Sequence, residues 1–423
     1  MVWPYPAHCK QGKTRVVVHT QEYGALICVK LSYALHFALN CNPVPIIFYT
    51  FMNSKVSFAK APFVLTALCA SVGLAQAQSI EVFGVLDLAY LSTTATGSAK
   101  VNSISTDSNT SSRIGFRGNE DIGGGMRASY WFEAAHSPDN GLGGTTNTNN
   151  QTSGQTSAPA GTQPLTFGRR STVSLTGNSW GEIRVGRDYV PSFNNLTVSM
   201  HPFGTNGVGN AGQLFYPLAA NGTTARTSVR ASNSIGYILP SDLGGFNGHL
   251  MYALGENASD VYNPDDGKHT GLRLGYRNGP WNMAIASGTT KYTTAAKVAN
   301  DYVQSNFAIN YQLGAAKIMF LTNENKIGAT KIKTDMVGTQ YDTGTGQFRY
   351  AYTTLKATGV GNDATQWAVG YVHDLSKRTA LFTNYSLVKN KGVGKQFTVG
   401  SGNNVTTAGG SSTGYEFGIR HSF

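Results

Sequence analysis

Four sets of residues in this chain are of types that could do chemistry. Gly177-Asn178-Ser179-Trp180-Gly181 spells G-x-S-x-G, the frame of a nucleophilic serine. Such an elbow needs a strand, a sharp turn and a helix, and here both flanks read as strands, so the motif reads as a hairpin turn. Gly207-Val208-Gly209-Asn210-Ala211-Gly212 spells G-x-G-x-x-G. A dinucleotide site needs it after a strand and opening a helix, whereas this copy lies inside a long Asn- and Gly-rich stretch. His136, His201, His249, His269, His373 and His421 show neither the close spacing nor the cysteine partners of a metal site. No enzyme and no cofactor is expected. The fourth set is different: full charges at alternate positions of otherwise apolar segments. Arg113 and Arg117 alternate with Ile114 and Phe116, Glu133 with Tyr130 and Phe132, and Arg273 with Leu272 and Leu274. That pattern demands a strand with water on one face and hydrocarbon or a core on the other.

Period-two segments of this kind recur from Gln78 to the C-terminus. In Ile80–Leu91, Val82, Leu86, Leu88 and Tyr90 share one face, and Glu81 and Asp87 the other. In Tyr415–Phe423, Tyr415, Phe417, Ile419 and Phe423 oppose Glu416 and Arg420. The connections alternate between short and long. Seven are short, such as Asn119–Gly125 and Gly177–Gly181. Eight are long, among them Ser92–Thr110, Pro191–Ser228, Asn323–Ala329 and Ala357–Asp363. The pattern is weakest over Lys331–Tyr341 and Gln347–Lys356. The expectation is sixteen strands with both ends on the short-turn side.

Composition fits the same architecture. Charged residues are 13% of the chain and there are 50 glycines, against ~25% charged and ~7% Gly in an ordinary soluble domain. No apolar run of ~18 residues follows residue 80, so helical membrane spans are not expected. In hydrocarbon an antiparallel sheet must close, because an open edge would leave backbone groups unpaired. Sixteen strands enclose a water-filled lumen, with short periplasmic turns and long outer loops. A secreted β-sandwich would alternate as well. The short/long rhythm and the charged strand faces favour the all-β, 16-stranded antiparallel transmembrane barrel.

Residues 52–77 read as a secretory signal peptide. Lys55 and Lys60 supply the positive end, Ala61–Ala75 the apolar stretch, and Ala75-Gln76-Ala77 the cleavage site. Residues 1–51 then fit either an over-extended start or an unstructured extension, and 78–423 is the barrel. Cys9, Cys28, Cys41 and Cys69 all precede Gln78, so the exported chain has no disulfide framework. The leader holds six Lys/Arg and one acid. The net charge of +11 therefore falls to +6 in the exported part, too dispersed to suggest nucleic acid.

These segments resemble the general porins of Gram-negative bacteria, in particular the betaproteobacterial trimeric type. The resemblance rests on Val82–Asp87, on Ser112–Gly125 across the second strand and its turn, on Gly186-Arg187, on Leu375–Thr379 and on Phe417–Phe423. It covers residues 78–423. It implies a cell outer-membrane barrel, usually a homotrimer, set in lipid and lipopolysaccharide and passing small hydrophilic solutes and ions by passive diffusion. It implies that the third extracellular loop, here Pro191–Ser228, folds inward to make a constriction. It also implies that a terminal Phe, here Phe423, is read by the outer-membrane barrel assembly machinery.

Carried over residue by residue, the resemblance places Arg113, Arg117, Glu133, Arg170 (or its neighbour Arg169), Arg187, Asp188 and Arg230 at the pore constriction. This chain departs from many relatives in one respect: Tyr189 through Ser241 contains no Asp or Glu. Arginine ladders favour anions in a pore. With no acids in the loop to oppose them, anion preference is the expectation; a substrate-specific channel for a small anion is the alternative.

Overall fold

A computed structural model describes residues 79–151, 164–197, 199–217, 227–294, 296–358, 361–400 and 403–423. The expected signal peptide, residues 1–51 and Arg226 lie outside the described residues.

The described chain forms one antiparallel sheet closed on itself. Its strands are β1 (Ser79–Ala95), β2 (Ser98–Thr106), β3 (Arg113–Gly123), β4 (Met126–Ser137), β5 (Leu142–Gly143), β6 (Arg170–Gly177), β7 (Gly181–Tyr189), β8 (Arg230–Ile238) and β9 (Phe246–Ala253). The sequence continues with β10 (His269–Asn278), β11 (Trp281–Thr290), β12 (Tyr302–Leu313), β13 (Ala316–Ile327), β14 (Thr330–Asp342), β15 (Gly346–Thr358), β16 (Ala364–Asp374), β17 (Thr379–Asn390) and β18 (Ser411–Ser422). Two of these are not barrel staves. β2 folds back on the outer half of β1, pairing Leu88 with Thr106 and Ala95 with Ser98. β5 is a two-residue bridge to the end of β4. The other sixteen each pair with the next, and β1 closes on β18 with Leu88 opposite Ile419. The C-terminal residue completes the seam: Gly84 and Phe423 exchange backbone hydrogen bonds, both 3.1 Å.

The two faces follow the alternation in the sequence. Val82, Val173, Ile235, Ile285, Ile318, Val337 and Phe417 are exposed on the outside. Their neighbours Asp87, Ser174, Ser234, Gln304, Asn325, Gln340 and Glu416 are buried. Hydrocarbon takes the apolar side, since no water there could satisfy polar groups. A recess of about 670 Å³ on this outer wall, lined by Ile183, Ile235, Leu250, Tyr252 and Leu272, belongs to the lipid face and not to the lumen.

Two expected long connections are shorter than their sequence suggests. β13 runs to Ile327 and β14 restarts at Thr330, so Asn323–Ala329 is mostly strand. Gly328 adopts φ +56° in the tight turn, a left-handed conformation that glycine takes without steric cost. The Lys, Glu and Asn residues that look loop-like there are cross-strand partners; Lys331 Nζ lies 2.8 Å from Glu324 Oε2. Ala357–Asp363 likewise shrinks, because β15 extends to Thr358. Within Ser92–Thr110, β1 and β2 form a hairpin.

The weak alternation over Lys331–Tyr341 has a physical cause. The inner positions of β14 include Ile332 and Met336, which join Met319, Leu321 and Leu355 in a buried apolar cluster with Met200, Leu214 and Phe215 of the long loop after β7. Where that loop packs, the inner face is apolar too, and the contrast between faces collapses.

Candidate functional site: the lumen and its third loop

Residues 190–217 hold a 3-10 turn (Phe193–Leu196) and a single helical turn (Gly212–Phe215). The segment lies against the inner face of β10 to β18. Side-chain amides of the wall hold it at its backbone carbonyls. Asn306 Nδ2 donates to Ser192 O (2.9 Å), Asn310 Nδ2 to Ser199 O (2.7 Å) and Gln340 Nε2 to Pro202 O (2.9 Å). Gln366 Nε2 donates to Asn210 O (2.9 Å), and Asn323 and Asn325 both donate to Phe215 O (2.7 Å each). A neutral amide can satisfy a buried carbonyl without desolvating a charge, which makes it suited to this work. Glu416 Oε1 accepts from Val208 N (3.2 Å) and Asn384 Nδ2 (2.6 Å). Gly207 sits at this joint with φ +66°, and a Cβ there would lie 2.0 Å from Ser108 O.

What the loop leaves open is charged. A cavity of about 340 Å³ is bounded on the wall by Arg113, Arg169, Arg349, Arg420 and Asp374. On the loop side it meets Tyr189, Phe193, Thr197, Phe203, Thr205 and Asn206, with no charge among them. A second cavity of about 360 Å³ shares Ser111, Arg169, Tyr189 and Asn206 with the first and adds Arg230, Asp107 and Glu416. A third, about 340 Å³ and nearer the short turns, holds Arg117, Arg127, Arg170, Arg184, Glu81 and Glu182.

The expected site residues divide among these spaces. Arg113 reaches the central cavity, 3.9 Å from Glu133. Glu133 lies behind it, bound to Arg169 Nε (2.5 Å) and Trp131 Nε1 (3.2 Å). Arg230 donates to Arg169 O (2.8 Å) and to Tyr189 Oη (2.9 Å), while its guanidinium lies 4.5 Å from that ring's centre. Arg169 Nη2 donates to the same hydroxyl at 3.1 Å. Of the two neighbours considered, Arg169 is therefore at the loop, and Arg170 is one tier down, 4.6 Å above the Trp131 ring and 3.9 Å from Asp188. Asp188 accepts from Arg184 Nη1 at 2.6 Å. Arg117 lies in the tier near the turns, held bidentate by Glu81 at 2.8 and 2.6 Å.

Arg187 is placed elsewhere. It donates to Gly168 O (2.6 Å), Asn147 Oδ1 (2.7 Å) and Ser232 Oγ (2.8 Å), in a recess with Phe167, Asn233 and Glu256. β7 shifts register between Gly186 and Asp188, and Arg187 serves the junction of β6, β8 and the second loop. Sequence reasoning did not name Arg349 or Arg420 for the constriction, although it set Arg420 on the polar face of the last strand. Both occupy polar positions of alternating strands, and that signal was available for Arg420; β15 was among the weakest patterns. Among the described residues no group of three or more His, Asp or Glu is placed to hold a metal, and Ser179 sits in the β6–β7 hairpin turn.

A closed sixteen-stranded barrel with a polar, arginine-lined lumen defines an outer-membrane channel. Residues 64–393 match the family described as Gram-negative porin. The chain is 33% identical to outer membrane porin protein 32 of Delftia acidovorans, over 86% of this chain and all of that one. It is 26% identical to an outer membrane porin protein of Bordetella pertussis, over 66% and 77% of the two chains. Among solved structures, the anion-selective porin from Comamonas acidovorans superposes with a TM-score of 0.70 at 31% identity, covering 82% of this chain and all of that one. The trimer form of OmpT from Vibrio cholerae, at 15% identity and TM-score 0.54 over 82% of this chain and all of that one, shares the fold. The chain belongs to the Gram-negative porin family. It is an outer-membrane barrel for the passive diffusion of small hydrophilic solutes.

Proposed function

We propose that the channel prefers anions. The carrying observation is the imbalance of lumen charge: nine arginines line the three cavities against five acids, and the facing loop adds none of either sign at the central one. A narrow lumen with low-dielectric walls concentrates the field of such charges. Arg113, Arg169 and Arg230, with Glu133 as their counter-ion, form the constriction in this reading. Arg117, Arg170 and Asp188 form its approach from the short-turn side, and Arg187 acts only through the wall. The anion-selective relative from Comamonas supports the reading. Reversal potentials across a planar bilayer in a KCl gradient test it: chloride preference is expected, and potassium preference would overturn it. Conductance that saturates with one small anion would favour the substrate-specific alternative.

Three further assignments belong to the same proposal. The protein assembles as a homotrimer in lipid and lipopolysaccharide, for which channel steps in multiples of three are the readout. Residues 52–77 are removed on export, leaving Gln78 as the N-terminus. Phe423 is read by the barrel assembly machinery, so its loss would leave unassembled chain in the periplasm.

A further inference from the structure

Asp87 is the least explained charge in the lumen wall. It is wholly buried (0% exposed) on the inner face of β1 and makes no ion pair among the described residues. Its carboxylate instead accepts from three successive backbone amides of the first loop: Ser108 N (2.9 Å), Asn109 N (3.0 Å) and Thr110 N (2.7 Å). Consecutive N–H groups aimed at one point make an anion-binding nest, and charge-assisted bonds of this kind can hold a carboxylate away from water. The same turn is fastened at its flanks. Ser112 Oγ accepts from Asp87 N at 3.0 Å, and Asp107 Oδ1 accepts from Ser112 N at 2.6 Å.

This clamp aims the turn into the channel, toward β15. Asn109 Oδ1 receives Arg349 Nη1 at 2.9 Å, a contact between residues 240 positions apart. Ser111 Oγ donates to Asn206 Oδ1 of the third loop (2.8 Å), and Gly207 N donates to Asp107 O (3.0 Å). Asn109, Thr110 and Ser111 all line the central cavity. Arg349 makes no ion pair among the described residues. Its remaining bond is from Nε to Gln347 Oε1 at 2.9 Å.

We propose that the first loop is a second wall of the constriction and that Asn109 sets how strongly Arg349 attracts a passing anion. Asp87 is the positioning residue that places it. A guanidinium has five donors in a fixed fork. Asn109 occupies one of them and orients the plane; without it, Arg349 can offer two parallel donors to an anion. The inference rests on the anion-preferring reading, but its test is scored as a change in the chloride-to-potassium permeability ratio, whichever ion the unmodified channel prefers.

The test measures that ratio for Asn109→Ala, Asp87→Asn and Arg349→Gln, and for Asn109→Ala combined with Arg349→Gln. Asn109→Ala is expected to raise the ratio about twofold, a modest change in the field of one charge. Asp87→Asn should shift it in the same direction, because the released turn no longer presents Asn109. In the Arg349→Gln background, Asn109→Ala should have no effect. The proposal is overturned if Asn109→Ala leaves the ratio unchanged, or changes it by the same factor with and without Arg349. If Asp87→Asn lowers heat resistance yet leaves the ratio alone, Asp87 is structural and its positioning role is lost. Should Asp87→Asn not assemble, the Asn109 and Arg349 pair still decides the matter.

Discussion

The inner faces of β3 to β7 and of β11 to β14 solve opposite problems with the same backbone. The first presents Arg113, Arg117, Glu133, Arg170, Arg184 and Asp188, each in contact with another charge or with lumen space. The second presents Gln304, Asn306, Asn310, Asn323, Asn325, Thr334 and Gln340, with Lys317 near the short turns, and it is covered by the third loop. Guanidinium groups stay strongly charged and keep water nearby, so they mark where solute passes. Amides offer a donor and an acceptor without charge, so they can be buried under a loop at low cost. The central space that the loop leaves open is bounded by Arg113 and Arg169 on one side and by Arg349, Asp374 and Arg420 of β15, β16 and β18 on the other.

This contrast can be broken most forcefully on the charged side. Arg169→Gln or Arg113→Gln should each lower the chloride-to-potassium ratio about fivefold, as expected for losing ~1 kcal/mol of Coulomb energy at ~4 Å in water. Bilayer reversal potentials read it, and an unchanged ratio for both would move the selectivity determinant elsewhere. On the amide side, Asn323→Leu with Asn325→Leu leaves Phe215 O without its two donors. The loss should be about 2–3 kcal/mol in loop anchoring, from ~1 kcal/mol per net hydrogen bond plus the unpaired carbonyl. Protease cleavage within 190–217 and a rise in single-channel conductance should appear together.

A smaller effect is expected from acid. His201 is buried in the third loop beside the Phe203 and Phe215 rings, and burial pushes its pKa down from 6.5 to about 3. A released loop would bind the proton at its ordinary pKa. The neutral form's contribution to anchoring is therefore complete above about pH 6.5 and is lost as pH falls toward 3. His201→Phe should flatten the part of the conductance change with pH that this residue carries; an unaltered profile would assign it to other groups. The smallest change is expected for Arg117→Gln. Its pair with Glu81 is half exposed, and exposed pairs contribute little, so heat resistance should stay within error.

The alternation of Val82 with Glu81, or of Phe417 with Glu416, was legible because hydrocarbon on one side and water on the other force period two on the residues themselves. The charged strand positions were legible for the same reason, and Arg113 and Arg230 border the lumen cavities. The setting of Arg187 was not legible, because a register shift after Gly186 changes which neighbours the next residues meet, and a bulge leaves no mark in hydrophobic pattern. Arg169 and Arg170 could not be told apart because the choice falls at a strand end. One supposed long loop, Asn323–Ala329, was mostly strand, since charged residues beyond the bilayer can pair across strands as readily as they can sit in loops.

The sequence by itself determined the closed barrel, its strand number, its membrane setting and the excess of positive charge facing water. These follow from local rules: the pleat, the hydrocarbon on one face and the ban on open edges. Tertiary structure alone decided which arginines share the narrow space. It also decided that Asp87 holds a loop and no arginine, and that Arg349 of β15 meets Asn109 of the first loop. Such contacts join residues from 21 to 240 positions apart, and they depend on the curvature of a closed wall and on where an inserted loop comes to rest, neither of which any local pattern encodes.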